Sequence, residues 1–321
     1  MKKKKKYTAL EHAVISSFGK LNKVGTSKHQ VQQELYKKTG KHLPSPYIHG
    51  ASTFDQYIKI CCQYARWLNE THPDVYKLAY AKRMGYAREY IQIRIDAGQS
   101  SYTIKRATCA LAKLYRCTSK DIYPNRPERY EEDIKNSRGY TYADYERDKE
   151  KYGSIVEIAR MTGLRKCELA YITKDCFDFR NNDVIYCHID GKKHNAKGGR
   201  NRKIEILPEH RDRLKEILSE YKPGEKMFPK IPGALHPHAI RAMYAGDLYN
   251  AVARSEIPKD ERIFIKDKKS GEMKSVPAIL RKRDGRKFDR AAFLRVSRSL
   301  GHNREDVVSV HYSRFCNPLN E

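Results

Sequence analysis

Six polar side chains in the second half of this sequence are of the types that phosphodiester chemistry requires. In chain order they are Arg165, Lys197, His238, Arg241, His302 and Tyr312. Two arginines can hold a phosphate through paired N–H donors, a lysine or a histidine can move protons, and a phenol can attack phosphorus. The set therefore indicates phosphodiester chemistry with a tyrosine nucleophile.

The first arginine lies in the segment TGLRKCEL. Thr162 and Gly163 are typical of a helix end, and the pattern predicts that the next helix begins near Leu164 with Arg165 in its first turn. The backbone N–H groups of a first turn favour an anion. Glu168 follows three residues later and can buttress Arg165 or cap the turn; the alternative is a simple surface ion pair between these two residues.

The segment PHAIRA places His238 and Arg241 three residues apart, on one face of a predicted helix. Two other HxxR copies, in LPEHRDR and in HYSR, lack this setting. His236 and His238 also form an HxH pair, but no second pair of ligands lies nearby, so a metal site is disfavoured. The segment SLGHNRED supplies His302, and Tyr312 follows ten positions later (312 − 302). Alone, Tyr312 would be interpreted as a core tyrosine of an amphipathic helix.

The lysine of the set falls in the connection between the two predicted strands, DVIYCHI and RKIEIL. A lysine that is shielded from water and lies near arginines has a lowered pKa, which suits a general acid. The candidates in and next to this connection are Lys192, Lys193, Lys197 and Lys203.

Composition limits the classes of partner. The chain has 321 residues with 65 Lys and Arg against 39 Asp and Glu, a net charge of +26, and a pI near 9.6. This excess indicates a polyanionic partner such as DNA or RNA, with an anionic membrane surface as the alternative. No run approaches the ~20 apolar residues of a membrane span, and no apolar stretch follows the basic residues 2–6 as it would in a signal peptide. Eight cysteines without a CxxC pair favour a reducing cytoplasm over a disulfide framework.

Helical periodicity dominates the first part of the chain, where no strand pattern occurs before residue 120. Helices are predicted over 8–22, 27–38 (with Ser27 as N-cap), 52–70, 74–98 and 100–117. Two prolines and weak periodicity make 121–138 a linker. A further helical stretch, the two strands and then more helices follow it.

The order, spacing and flanking residues of the six side chains resemble those of the tyrosine recombinases, the phage-integrase family. The resemblance is specific over 139–321 and only architectural over 8–120. It implies a mainly α fold, with a helical core-binding (SAM-like) domain and a mostly helical catalytic domain that contains a small antiparallel β-sheet. The expected organisation is a basic N-terminal tail (1–7), a core-type DNA-binding domain (8–120), the linker (121–138) and the catalytic domain (139–321).

The resemblance also implies roles for the site residues. Arg165 and Arg241, helped by His302, hold the scissile phosphate and stabilise the charge on its non-bridging oxygens. Tyr312 attacks phosphorus to give a 3′-phosphotyrosyl link, and His238 accepts or relays the phenol proton. The 5′ hydroxyl of a partner strand then reverses the step.

On the same resemblance, Lys197 is the best match for the family's lysine, because KGGRNRKIEIL has the family's order of lysine, turn, basic residue and strand. The resemblance implies that Lys197 protonates the departing 5′ oxygen. The family needs no metal, cofactor or ATP. The implied partners are double-stranded DNA, further copies of the chain in a tetramer on two synapsed sites, and an accessory DNA-bending or excision factor. The implied activity is site-specific recombination or integration in the cytoplasm, of the kind carried by phages, plasmids or integrative mobile elements.

Three alternatives stay open. A type IB topoisomerase has nearly the same catalytic residues and relaxes DNA without exchanging partners. A catalytically inactive DNA-binding regulator would keep the same scaffold. A purely structural basic protein explains the charge, but it does not explain the ordered motifs.

The sequence departs from the family pattern in several places. Ala242 stands where many members have a second histidine, and Arg241 and His302 are separated by 61 positions (302 − 241), more than is usual. The ten-position gap from His302 to Tyr312 is one residue longer than usual, and a loop over 303–306 is expected to absorb the extra residue. The excess falls within 262–290, a segment with eleven Lys or Arg against four Asp or Glu, and turn signals there predict a basic hairpin. Only nine residues follow Tyr312 (321 − 312), which is short for the segment that members commonly pass to a neighbouring protomer.

Overall fold

The structure is a computed structural model that describes residues 7–128, 139–180, 184–196, 199–266, 271–302 and 305–319. Contacts divide the chain into two units, Met1–Asp133 and Ile134–Glu321. Residues 1–6 of the predicted N-terminal tail and residues 129–138 of the predicted linker lie outside the described residues.

The described part of the first unit is helical. Its helices are α1 (Ala9–Gly19), α2 (Lys28–Thr39), α3 (Ala51–Thr71), α4 (Leu78–Arg83), α5 (Tyr86–Asp96), α6 (Ser101–Tyr115) and α7 (Ser119–Ile122). Side-chain caps fix several of their starts: Ser27 and Ser100 accept hydrogen bonds from backbone N–H groups of α2 and α6, as expected for N-cap serines. The last helix, α7, begins before residue 121 and runs two residues into the predicted linker.

The long helix predicted over 74–98 is wrong as a single element. It consists of α4 and α5, and Gly85 lies between them with φ +76°. A residue in the left-handed region cannot continue a right-handed helix, and glycine adopts that region at little cost. The apolar faces of α3 and α6 form the core of this unit, where Tyr64, Leu68, Ile104 and Leu111 are fully buried.

The second unit is mostly helical. Its helices are α8 (Tyr142–Tyr152), α9 (Ser154–Thr162), α10 (Lys166–Leu169), α11 (Arg211–Ser219), α12 (Pro237–Val252), α13 (Arg290–Ser299) and α14 (Glu305–His311). The helix predicted directly after the linker is divided into α8 and α9 at Gly153, where φ is +59°.

The strands of this unit are short and antiparallel. They are β1 (Phe177–Asp178), β2 (Ile185–Ile189), β3 (Arg202–Ile206), β4 (Arg262–Lys266), β5 (Met273–Pro277), β6 (Ile279–Arg281) and β7 (Lys287–Asp289). One sheet has the order β1-β2-β3, while β4 pairs with β5 and β6 with β7. The fold class predicted from the sequence, mainly α with a small antiparallel sheet, is confirmed. The sequence pattern did not predict β1, because two residues are too few to show an alternation.

The centre of the second unit is α12, which packs against α9, α13 and the segment after Tyr312. Most of its side chains are buried, including Ile240, Met243 and Leu248. A Cβ atom at Gly246 would lie 2.4 Å from Cβ of Phe315, so only glycine allows the chain end to approach α12 this closely. This contact helps to hold the neighbouring Tyr312 against the helix that carries His238 and Arg241.

Among the described residues, no helix is long and apolar enough to cross a membrane.

Candidate active site

Arg165 lies at a sharp break between two helices. Gly163 ends α9 in the left-handed region (φ +58°), and a Cβ atom there would lie 2.4 Å from the ring of Tyr244. The sequence predicted Arg165 in the first turn of the next helix, but α10 begins one residue later and Arg165 is its N-cap. The reason is Glu168, which accepts a hydrogen bond from the Arg165 backbone N–H (2.8 Å) and one from Arg165 Nη1 (2.9 Å).

Glu168 is fully buried and binds a second arginine. Arg202, the first residue of β3, donates from Nη1 to Oε1 (2.7 Å) and from Nη2 to Oε2 (2.6 Å). Burial alone would raise the pKa of Glu168, but the hydrogen bonds and charges of Arg202 and Arg165 outweigh it and lower the pKa to about 2. The carboxylate is therefore ionised at neutral pH, and the Arg165–Glu168–Arg202 trio carries a net charge of +1.

Arg241 lies on the buried face of α12 with 1% of its surface exposed. Its Nη1 donates to the carbonyl of Gly163, and its Nη2 donates to the carbonyl of Leu300 (2.6 Å). Arg165 Nη2 donates to the same Leu300 carbonyl (3.2 Å). One backbone oxygen thus joins the two arginines, which are called the arginine clamp below.

Tyr312 lies directly after α14, where its N–H donates to the carbonyl of Val308 (2.9 Å). Its side chain is 4% exposed, and the Arg241 guanidinium lies 5.8 Å from the centre of its ring. The ring centre of His238 is 5.5 Å away and that of His302 is 6.0 Å away. Tyr312 is therefore a buried tyrosine, as the alternative interpretation has it, but its neighbours are cationic and titratable groups.

His302 follows a glycine turn at the end of α13. Gly301 has φ +75°, and the His302 N–H donates to the carbonyl of Ser297 (2.8 Å). The same turn carries the Leu300 carbonyl that the arginine clamp binds. The sequence Leu300–Gly301–His302 therefore supplies His302 to the site and also binds both arginines through the Leu300 carbonyl.

The electrostatics of the site favour an anion and a neutral histidine. Burial lowers the pKa of His238, and the positive charges of Arg241, His311 and Arg165 lower it further, so the imidazole is neutral at pH 7. Burial also lowers the pKa of Arg241 to about 10, which leaves it charged at pH 7 but poorly solvated. Its Nε is buried without a hydrogen-bond partner among the described residues. A negatively charged ligand would compensate for the poor solvation of the Arg241 charge and could accept a hydrogen bond from its Nε.

A cavity of about 780 Å³ opens beside the clamp. Arg165, His238 and Arg241 line one part of it, and Ile231 and Leu235 are among the apolar residues that line the rest. The cationic groups at its wall make it a suitable place for a phosphate that is joined to a less polar sugar and base.

Lys197 lies outside the described residues, so its place in the site remains a prediction. The residues around it form a compact turn between β2 and β3. A Cβ atom at Gly191 would lie 2.2 Å from the carbonyl carbon of Gly199, and the buried His194 contacts Cys176 Sγ through Nε2 (3.3 Å). The described residues contain no group of three or more His, Cys, Asp or Glu side chains that could hold a metal ion.

The structure thus brings together Arg165, His238, Arg241, His302 and Tyr312, which the sequence predicted as site residues. Sequence reasoning missed Arg202 and the Leu300 carbonyl. The alternation in RKIEIL contained a signal for Arg202, because period 2 places it on the same face of β3 as the buried Ile204 and Ile206. A backbone carbonyl leaves no such signal.

Comparison with solved structures finds similar chains among DNA-processing enzymes. The chain is similar to the XerH site-specific recombinase bound to difH substrate in a pre-cleavage complex, with a TM-score of 0.46 and 12% identity over 95% of this chain and 92% of that one. It is similar to the Tn1549 transposon integrase in complex with transposon right end DNA (TM-score 0.39, 17% identity, 72% and 89% covered). It is also similar to the XerA recombinase (TM-score 0.30, 13% identity, 93% of each chain).

These likenesses concern the fold. At 12–17% identity and TM-scores below 0.5, they carry no argument about what this chain does. No protein-family model and no curated protein sequence matches the chain.

Proposed function

We propose that this protein is a site-specific DNA recombinase or integrase of the tyrosine type. It cleaves and rejoins double-stranded DNA through a 3′-phosphotyrosyl intermediate on Tyr312, without metal or ATP. The observation that carries the proposal is the convergence of four cationic or titratable side chains on one tyrosine. Arg165 and Tyr312 are 147 positions apart in the chain (312 − 165), yet both belong to one site with Arg241, His238 and His302.

In this proposal the arginine clamp binds the scissile phosphate. Arg165 and Arg241 donate to its two non-bridging oxygens, where negative charge builds up as the pentacovalent transition state forms. The Leu300 carbonyl holds Nη2 of each arginine, which fixes the two guanidinium groups before the DNA arrives. Preorganised donors need no rearrangement at the moment of reaction, and this is the main source of their effect.

The proton balance follows from the state of each group. The Tyr312 oxygen forms a bond to phosphorus while the bond from phosphorus to the 5′ oxygen breaks. His238, neutral because burial and nearby cations lower its pKa, accepts or relays the phenol proton. His302 assists the clamp at the phosphate. Lys197 is proposed to protonate the leaving 5′ oxygen from the turn between β2 and β3.

Duplex DNA is the proposed partner because the chain carries a net charge of +26. Recombination between two sites further requires that copies of the chain assemble on them, as a tetramer in the proposed reaction. The proposed location is the cytoplasm.

A covalent trapping experiment tests the proposal. In a duplex with a nick beside the cleavage site, cleavage releases a short fragment with a free 5′ hydroxyl, which diffuses away and cannot reverse the step. The protein then stays attached to the 3′ phosphate, and the linked strand is retarded in denaturing electrophoresis. We expect attachment with the wild-type protein and none with Tyr312→Phe, which loses only the phenol oxygen and should still bind DNA. A covalent band that persists in Tyr312→Phe would reject this nucleophile.

The requirement for a second site separates recombinase from topoisomerase. A recombinase should join ends between two copies of a defined site, whereas relaxation of a supercoiled plasmid without any defined site would favour the topoisomerase alternative. DNA binding without attachment in the wild-type protein would instead favour the inactive regulator.

A further inference from the structure

The carboxylate of Glu168 creates an electrostatic problem for the proposed site. It is fully buried, ionised at neutral pH and bonded directly to Arg165, one arm of the arginine clamp. A pair of Arg165 and Glu168 alone would have no net charge. It would attract an anionic phosphate far less than a free guanidinium, because the two fields oppose each other at short range in a poorly solvated region.

Arg202 removes this problem by its position on the other side of the carboxylate. It binds both Glu168 oxygens, at 2.7 and 2.6 Å, while Arg165 Nη1 binds Oε1 only, at 2.9 Å. The Arg202 side chain is 6% exposed, so water screens this pair little. The shorter and bidentate contact satisfies the carboxylate mainly through Arg202.

Arg202 also contacts the turn that anchors the clamp. A Cβ atom at Gly301 would lie 3.0 Å from Arg202 Cδ, so the side chain packs closely against this glycine. The preceding residue, Leu300, provides the carbonyl that accepts from Arg165 and Arg241. Arg202 is thus in contact with both supports of the clamp, the carboxylate and the glycine turn.

We propose that Arg202 is a positioning residue that offsets the charge of Glu168 and so keeps Arg165 available to the scissile phosphate. The inference rests on the function proposed above. It gives β3 a role in catalysis in addition to its role in the sheet. An ordinary buried ion pair, which only stabilises the fold, is the alternative that the experiment must separate.

Four variants separate the two roles: Arg202→Met, Arg202→Lys, Glu168→Gln and the double variant Arg202→Met with Glu168→Gln. The trio of side chains at 165, 168 and 202 has a net charge of +1 in the wild type, 0 in Arg202→Met, and again +1 in the double variant. Each is assayed by single-turnover cleavage of the nicked duplex, and folding is followed by thermal unfolding.

We expect Arg202→Met to slow cleavage by about 10–100-fold, less than the 10²–10³-fold typical of losing a direct oxyanion donor. Arg202→Lys, which keeps the charge but not the bidentate contact, should recover part of the rate. The double variant should cleave at least about fivefold faster than Arg202→Met, because charge balance is restored. A purely structural pair predicts the opposite order, with the double variant no better than the worse single variant.

A substrate with a methylphosphonate at the scissile position gives a second readout. It has one fewer negative charge for the clamp to bind, so the Arg202→Met defect should shrink to about threefold or less relative to wild type. A fold defect would reduce cleavage of both substrates equally.

The outcomes distinguish a failure of the proposed function from a failure of the role proposed for Arg202. If the wild-type protein forms no covalent complex, the proposed function fails. If the wild type cleaves and Arg202→Met cleaves equally fast, or if its defect is the same on both substrates, only the role of Arg202 is overturned. If Arg202→Met does not fold, the double variant is the test, because it has no unpaired buried charge. A cleavage rate within about tenfold of wild type supports the proposal, and no cleavage overturns it.

Discussion

Burial of the Arg241 charge should destabilise the folded state, and the same charge should be necessary for the reaction. The variant Arg241→Met tests both expectations. The pKa of this guanidinium is lowered by burial from the ordinary 12.5 to about 10. At 1.36 kcal/mol for each pKa unit, burial of the charge costs the folded state about 3 kcal/mol. Because the folded pKa is the lower one, this cost is complete below about pH 10 and is constant across the neutral range.

Methionine at this position removes that cost and introduces another. The carbonyls of Gly163 and Leu300 each lose a charged donor, at about 1–3 kcal/mol for each group left unsatisfied, although Leu300 keeps its bond from Arg165. The gain and the loss nearly cancel. We therefore expect Arg241→Met to change the free energy of unfolding by no more than about 2 kcal/mol in either direction, while cleavage falls by about 10²–10³-fold.

Urea unfolding and single-turnover cleavage of the nicked duplex measure the two quantities. Arg180→Met is the control, since Arg180 pairs with Asp178 at 2.6 and 2.9 Å and its side chain is 89% exposed. It should leave the free energy of unfolding nearly unchanged and cleave normally. A loss of more than about 4 kcal/mol in Arg241→Met, or unimpaired cleavage, would refute the reasoning, because Arg241 would then be a structural residue.

Three more predictions follow from the same geometry. Arg165→Ala should slow cleavage by about 10²–10³-fold and weaken binding to intact sites far less; a parallel fall in binding and cleavage would make it a residue that only positions DNA. Cleavage should decline only below the ordinary histidine pKa of about 6.5, because His238 acts as a base and its pKa is lowered, and His238→Gln should remove this acidic limb from the pH profile. Replacing the exposed Lys266 and Lys274 of the β4–β5 hairpin by Gln should flatten the slope of log K against log salt by up to about 1.8; an unchanged slope in the folded variant would place the hairpin away from DNA.

The sequence predicted the helix N-cap and the β-hairpin better than it predicted where the long helices are interrupted. Ser27 acts as an N-cap where the sequence placed it, and the basic segment 262–290 contains the expected hairpin as β4 and β5. The helix predicted over 74–98 failed at Gly85, because periodicity on both sides concealed a left-handed residue. An isolated glycine is compatible with a helix or with its end, and tertiary packing decides between them.

The ten-residue separation of His302 and Tyr312 illustrates how the fold accommodates a departure from a sequence pattern. A continuous helix would rotate Tyr312 by about 100° for one extra residue, and a loop over 303–306 was expected to absorb the difference. Residues 303–304 lie outside the described residues, and α14 already begins at Glu305, so Asp306 is helical. Tyr312 lies just beyond the last residue of α14, with φ −129°. The side chain is therefore directed by the end of a helix, where the backbone is free to depart from helical geometry.

The remaining part of the site could not have been predicted from side-chain types, because it depends on charge compensation in three dimensions. The sequence presents Arg165 and Glu168 as an i, i+3 pair, which on a surface would stabilise a helix by a few tenths of a kcal/mol. Burial changes the electrostatic effect of Glu168. A solvated carboxylate would barely repel a nearby phosphate, whereas a fully buried carboxylate repels it strongly. A third charge is then required, and β3 provides it at Arg202. Any chain that uses a buried carboxylate to orient a phosphate-binding arginine faces the same requirement, so the partner on the opposite side of the carboxylate is where a search for supporting residues should begin.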